Sequence, residues 1–265
     1  MSNETFLISI KQNNDLSTPA VWELRESIEK HPLSQRKYIE LAALPGNSRK
    51  YSVNNVKAIK GPLFDKQVLF LGSSVTLGYG ALGESFVDYL WKRDGIQAVK
   101  DAENGTTLCG NTDPNSSDYD PDSYINRFYA NFLVADRPDA FVLQLSTNDA
   151  TKDKPLGQIV ENENFDTKTI TGALEFIIAN AQKKWHCPVL LYTNPPFDNP
   201  LYQKMVDRAL TLQKKYHFEL LDLYHDPAFQ KQDVLYKADP IHPTRAGYQL
   251  KWLPKFEEKL TKMLA

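Results

Sequence analysis

Four short segments of this 265-residue chain carry side chains whose types and spacing could do chemistry. Gly72-Ser73-Ser74-Val75-Thr76 places hydroxyls directly after a glycine, with Gly78 and Gly80 close behind. Where such a turn leads from a strand into a helix it lifts a hydroxyl into the open, and the unpaired N–H groups of the helix start bring positive potential to it. Asn104-Gly105-Thr106-Thr107 and Ser146-Thr147-Asn148-Asp149 supply amides and small polar groups. Asp239-Pro240-Ile241-His242-Pro243-Thr244 sets a carboxylate three residues before an imidazole. Across a turn stiffened by two prolines, that carboxylate can orient the ring and fix its tautomer. Each segment taken alone also has a plain reading. The first two are turns, the third a helix cap and the fourth a proline-rich surface turn.

The elements that must position these segments are visible as hydrophobic runs. Val68-Leu69-Phe70-Leu71, ending at Gly72, reads as a strand buried on both faces. Phe141-Val142-Leu143, Val189-Leu190-Leu191-Tyr192 and Leu220-Leu221 read the same way, and Ile96 to Val99 is a weaker candidate. Helical spacing lies between them. Ile125, Phe128, Tyr129, Phe132 and Leu133 form one series, and Ile170, Leu174, Ile177, Ile178 and Ala181 a second. Tyr248, Trp252, Phe256 and Leu260 form the last. Strands alternating with helices imply an α/β fold, with a mostly parallel sheet covered by helices on both faces. Reactive groups in such a sheet gather beyond the carboxyl ends of the strands, where these segments fall. Residues 66–265 are expected to form this domain. Residues 1–65 differ and are expected to be a mainly helical N-terminal extension. Thr18-Pro19 begins one helix there, with Val21, Leu24 and Ile28 on one face and His31-Pro32 at its end. A second runs from Ser34 until Pro45-Gly46 stops it.

A formal net charge of −2, with Lys and Arg interspersed among acids, provides no basic field for nucleic acid. No apolar run approaches the roughly 20 residues of a membrane span. The opening MSNETFLISIKQNND lacks the basic start and apolar core of a secretion signal. Cys109 and Cys187 stand far apart, outside any Cys-x-x-Cys arrangement, as in a reducing compartment; the expected location is the cytoplasm. His31, His186, His217 and His225 lack the spacing of a metal site, and the 72–80 loop lacks a P-loop lysine. Neither a metal nor another cofactor is expected.

The four segments, in this order, resemble those of the SGNH/GDSL hydrolase superfamily. The family's Gly-Asp-Ser block is similar to Gly72-Ser73-Ser74, the second-block glycine to Gly105, and Gly-x-Asn-Asp to Ser146-Thr147-Asn148-Asp149. Asp-x-x-His matches Asp239 to His242, followed by the family-like Pro243-Thr244-Arg245-Ala246-Gly247-Tyr248. The likeness covers residues 66 to 264. It departs at Ser73 and Ser146, positions that supply neither triad nor oxyanion groups in the family. The resemblance implies a three-layer α/β/α sandwich with a flavodoxin-like sheet of about five strands. It also implies a Ser74, His242, Asp239 triad and an oxyanion hole of the Ser74 and Gly105 N–H groups with the Asn148 amide. The expected activity is hydrolysis of small acyl esters, acetyl esters of carbohydrates among them, through an acyl-enzyme. Thioesterase and lysophospholipase activities are the alternatives within the family, and a non-catalytic flavodoxin-like binding module is the alternative outside it. The expected partner is a small-molecule ester, with self-association left open. The loops 111–123 and 152–168 should border the site, with Tyr79, Tyr119, Phe165 and Phe197 as candidate substrate-binding walls.

Overall fold

The computed structural model describes residues 35–132, 136–231 and 233–265. The helix expected after Thr18, together with His31 and Leu133, lies outside the described residues. Five strands form one parallel sheet: β1 (Gln67–Gly72), β2 (Gln97–Ala102), β3 (Ala140–Gln144), β4 (Val189–Tyr192) and β5 (Glu219–Leu221). Their order is β2-β1-β3-β4-β5, so β1 sits between β2 and β3 and the chain reverses direction across the sheet there. That reversal is where ligands bind in doubly wound sheets. The register pairs Leu71 with both Asp101 and Leu143, which brings three strand ends level with one another.

Alternate strand residues serve opposite layers. Leu69, Leu71, Phe141, Leu143 and Leu191 pack under α6 (Ile170–Trp185) and α7 (Pro200–Tyr216). Val68, Phe70, Val142, Leu190 and Tyr192 pack under α3 (Phe86–Asp94) and α9 (Leu253–Leu264). The expected helical faces are buried: Ile170, Leu174, Ile177, Ile178 and Ala181 on one side, Tyr248, Trp252, Phe256 and Leu260 on the other. Local chemistry sets the helix ends. Ser85 and Asp88 form a capping box on α3, Thr169 caps α6, and Asn199 followed by Pro200 starts α7. His186 and His217 close α6 and α7 in the left-handed conformation, so both are helix terminators.

Two expectations are refined. The weak strand signal at Ile96–Val99 belongs to β2, an edge strand that is half-buried and therefore not uniformly apolar. The series beginning at Ile125 is a short helix, α4 (Tyr124–Arg127), that widens into a π turn over Phe128–Phe132. Ile125 and Phe128 are buried, whereas Tyr129 is exposed and leans on Phe176. Before β1, the described residues form α1 (Gln35–Ala42) and three 3-10 turns, with Leu41, Asn47, Ser52 and Val53 buried. Three short helices lie near the carboxyl edge of the sheet: α2 (Ser74–Leu77), α5 (Thr147–Thr151) and α8 (Arg245–Gly247), the last running through a π turn into α9.

Candidate active site

The turn from β1 into α2 is built around one buried side chain, Gln144, the last residue of β3. Its Oε1 accepts from the N–H groups of Ser73 and Thr76, at 2.9 and 3.2 Å, and from the Thr76 hydroxyl at 2.7 Å. Its Nε2 donates to Ser73 Oγ at 3.1 Å. The Ser73 hydroxyl is thereby turned inward and fully buried. Gly72 permits the packing: a Cβ there would fall 1.7 Å from Thr76 Oγ1. Ser74 opens α2 with its hydroxyl directed the other way, 2.8 Å from Nε2 of His242.

His242 rides on the loop between β5 and α8. The Asp239 carboxylate lies 2.9 and 2.8 Å from its Nδ1 through the two oxygens. Asp239 Oδ1 also accepts the N–H groups of Ile241 and His242, at 2.9 and 2.8 Å. Burial alone would raise the Asp239 pKa, but the His242 side chain and these backbone donors outweigh it and hold the carboxyl down at about 2. A carboxylate fixed in this way gives the imidazole one tautomer, with Nδ1 protonated and Nε2 free to accept. The ring is flanked by Tyr79, with centroids 4.9 Å apart. The loop is tied to the sheet by Asn194, after β4, whose Nδ2 donates to the Ile241 carbonyl at 3.2 Å.

The segments that follow β2 and β3 meet past the end of β1. Asn148 Nδ2 donates to the Thr106 carbonyl at 3.0 Å, and Lys152 Nζ to the Gly105 carbonyl at 2.7 Å. Gly105 itself is left-handed, with φ of 77°. Asp149, fully buried, accepts the Leu108 and Cys109 N–H groups at 2.6 and 3.2 Å. Burial pushes its carboxyl above the ordinary range despite those donors. Arg127 ties the end of β1 to the segment after β2 by donating from Nη2 to the Gly72 carbonyl at 2.7 Å and to Thr106 Oγ1 at 3.2 Å.

Ser74, His242, Asp239 and Tyr79 are thus in one connected cluster, and Gly105 with Asn148 in a second at the neighbouring strand ends. The other expected wall residues make different contacts. Phe165 packs on Phe176 of α6, Phe197 on Tyr202 of α7, and Tyr119 bridges to Asn111 within its own loop. Among the described residues no hydrogen bond or ring contact ties these three to Ser74, His242 or Asp239. Gln144, Arg127, Lys152 and Asn194 escaped the sequence reading. The signal available for Gln144 and Asn194 was a polar residue at or just past the end of an apolar strand. Cys109 and Cys187 are free and buried. Among the described residues no three His, Cys, Asp or Glu side chains gather to hold a metal, and no helix is long and apolar enough to cross a membrane.

Comparison with known proteins gives the same frame. A protein from Lactobacillus plantarum superposes with a TM-score of 0.60 at 22% identity, over 75% of this chain and 98% of the other. A member of the lipolytic G-D-S-L family from Veillonella parvula gives 0.55 at 16% identity, over 74% and 98%. A family two carbohydrate esterase from Clostridium thermocellum, solved with cellohexaose, gives 0.50 at 18% identity, over 77% and 65%. These likenesses establish a shared three-layer α/β/α fold. A search of curated proteins gave no match. The GDSL-like lipase/acylhydrolase family model matches residues 70–250, which span all four motif segments. The chain belongs to the GDSL-like lipase/acylhydrolase family and is an ester-bond hydrolase.

Proposed function

We propose that this protein is a serine esterase for small acyl esters, with Ser74 as nucleophile, His242 as general base and Asp239 as the group that orients it. The reading rests above all on the 2.8 Å contact between His242 Nε2 and Ser74 Oγ, backed by the Asp239 carboxylate on Nδ1. His242 takes the Ser74 proton as Oγ attacks the ester carbonyl, and Asp239 stabilises the imidazolium that forms. His242 then gives the proton to the leaving alkoxide. Water, deprotonated by the same imidazole, releases the acid from the acyl-enzyme. The tetrahedral oxyanion is received by the backbone N–H groups of Ser74 and Gly105 and by Asn148 Nδ2. The Thr106 carbonyl supports that role for Asn148, because it occupies one amide N–H and leaves the other aimed by a fixed side chain.

Tyr79, which lies against one face of the imidazole, is the expected wall residue nearest to the triad. Carbohydrate acetyl esters are the first natural class to try, since the Clostridium thermocellum neighbour is a carbohydrate esterase. Two free, buried thiols fit a reducing compartment, and the cytoplasm is the proposed location.

A fluorophosphonate probe tests the nucleophile, and a panel of p-nitrophenyl esters from acetyl to palmitoyl, run beside acetylated sugars, tests the substrate. The wild-type chain should label covalently. Ser74→Ala should abolish labelling and lower turnover on the order of 10⁶-fold. Labelling that survives in Ser74→Ala would remove Ser74 from the reaction, and a preference for long chains would replace the small-ester reading by a lysophospholipase.

A further inference from the structure

Asn47 lies ahead of residues 70–250, which the family model matches, yet it reaches the active site. It ends a 3-10 turn and is fully buried. Its Nδ2 donates to the Leu41 and Gly80 carbonyls, both at 2.8 Å, and its Oδ1 accepts the Arg245 N–H at 2.9 Å. Both amide donors and the acceptor are therefore engaged. The Asn47 carbonyl in turn accepts from Arg245 Nη1 at 3.1 Å.

Two of the three partners of this amide, Gly80 and Arg245, stand on either side of the histidine loop. Arg245 follows His242 by three residues. Gly80 backs the histidine itself: a Cβ on Gly80 would lie 2.8 Å from His242 Cβ and 2.6 Å from the Pro243 carbonyl. The turn that carries Gly80 is the continuation of the nucleophile's own helix, through Gly78 and Tyr79. One side chain thus fastens the nucleophile's segment to the histidine's segment, between residues remote in sequence. The same stretch anchors Arg245 a second way. Arg245 Nη2 lies 2.7 Å from Glu84, both fully buried, and Glu84 accepts the Val53 N–H at 2.8 Å and the Ser52 hydroxyl at 3.1 Å.

We propose that Asn47 is a positioning residue of the hydrolytic site. By holding the Gly80 carbonyl and the Arg245 N–H together, it keeps the Gly80 turn pressed behind His242 and Nε2 in line with Ser74 Oγ. The proposal rests on the triad reading above. A displacement of the base by a fraction of its hydrogen-bond length affects the chemical step and leaves substrate affinity alone, so the effect should fall on kcat.

The test uses the full chain. Asn47→Asp keeps the shape and the acceptor but faces the Gly80 carbonyl with an oxygen. With p-nitrophenyl acetate, kcat should fall about 10- to 100-fold while KM stays within about twofold, and fluorophosphonate labelling should slow in step with kcat. Ser52→Ala loosens the same buried network without touching Gly80 or His242; it should lower Tm and leave kcat unchanged. If Asn47→Asp does not fold, Gly80→Ala presses on the same contact from the other side and should show the same split between kcat and KM. Wild-type kcat in folded Asn47→Asp overturns the proposal, as does wild-type kcat in Gly80→Ala, an effect confined to KM, or an equal kcat loss in Ser52→Ala. Full activity in Ser74→Ala would instead overturn the triad reading, whatever Asn47→Asp does.

Discussion

Two Asp-x-x-His pairs follow β5, and they are almost the same object locally. In Asp222-Leu223-Tyr224-His225 the carboxylate is 2.7 Å from Nδ1 and also accepts the His225 N–H at 3.1 Å. In Asp239-Pro240-Ile241-His242 the corresponding distances are 2.8 and 2.8 Å. What differs is everything beyond the pair. The His225 side chain is 52% exposed, with Tyr224 edge-on beside it, and among the described residues no hydroxyl bonds its Nε2. The His242 side chain is 15% exposed, flanked by Tyr79, backed by Gly80, and bonded through Nε2 to Ser74. A three-residue spacing is enough to make an oriented imidazole. Aiming it at a particular hydroxyl takes long-range packing.

The sharpest way to break that contrast is to remove each imidazole in turn. His242→Ala should lower ester turnover on the order of 10⁶-fold, as loss of a triad base does elsewhere, while His225→Ala stays near wild type. Comparable losses in the two variants, measured with p-nitrophenyl acetate, would erase the distinction.

Removing the orienting carboxylate should have a smaller effect. Asp239→Asn should reduce kcat about 10⁴-fold by favouring the wrong tautomer, and Asp222→Asn should leave it unchanged. The same pair carries a pH signature. Because the folded Asp239 carboxyl is held at about 2, below its ordinary value near 4, its stabilising contribution is complete above that ordinary value. It is lost as pH falls from there through about 2. The Tm gap between wild type and Asp239→Asn should therefore be constant near neutrality and close below about pH 4. A gap that widens on acidification would contradict the stated charge state.

The smallest effect concerns stability. Glu84→Ala leaves the Arg245 guanidinium buried without its carboxylate, and should cost about 3–5 kcal/mol in urea unfolding. Thr193→Ala, which removes a buried hydroxyl that accepts the Tyr224 N–H at 2.9 Å and makes one long contact to Asp222, should cost less, about 1–3 kcal/mol. Equal shifts would mean that the His242 loop is no more firmly anchored than the other.

These contrasts also explain what was legible in the sequence. Strands buried on both faces read directly as apolar runs at Val68, Phe141 and Val189, because their environment is uniform. The edge strand β2 alternates between half-buried and exposed positions, which blunts the same signal. Ser74, Asp239 and His242 stood out because each sits in a short motif of unusual composition. Spacing alone nominates His225 equally; the two prolines and the family-like Pro243-Thr244-Arg245 continuation are found only at the second pair. Gln144 and Asn47 left almost no trace. Gln144 bonds a residue 71 positions away and Asn47 one 198 positions away, and a buried amide that satisfies remote backbone groups imposes no local period.

In Gly72-Ser73-Ser74 a serine stands where the family's usual aspartate would be. The three neighbours answer to unrelated demands. Gly72 is dictated by volume, since Thr76 occupies the room of even a methyl. Ser73 is dictated by bond matching, because its inward hydroxyl meets the Gln144 amide. Only Ser74 faces the imidazole. Substitutions along this tripeptide should therefore fail in different currencies: misfolding at the first residue, a retuned turn at the second, and an intact but inert protein at the third.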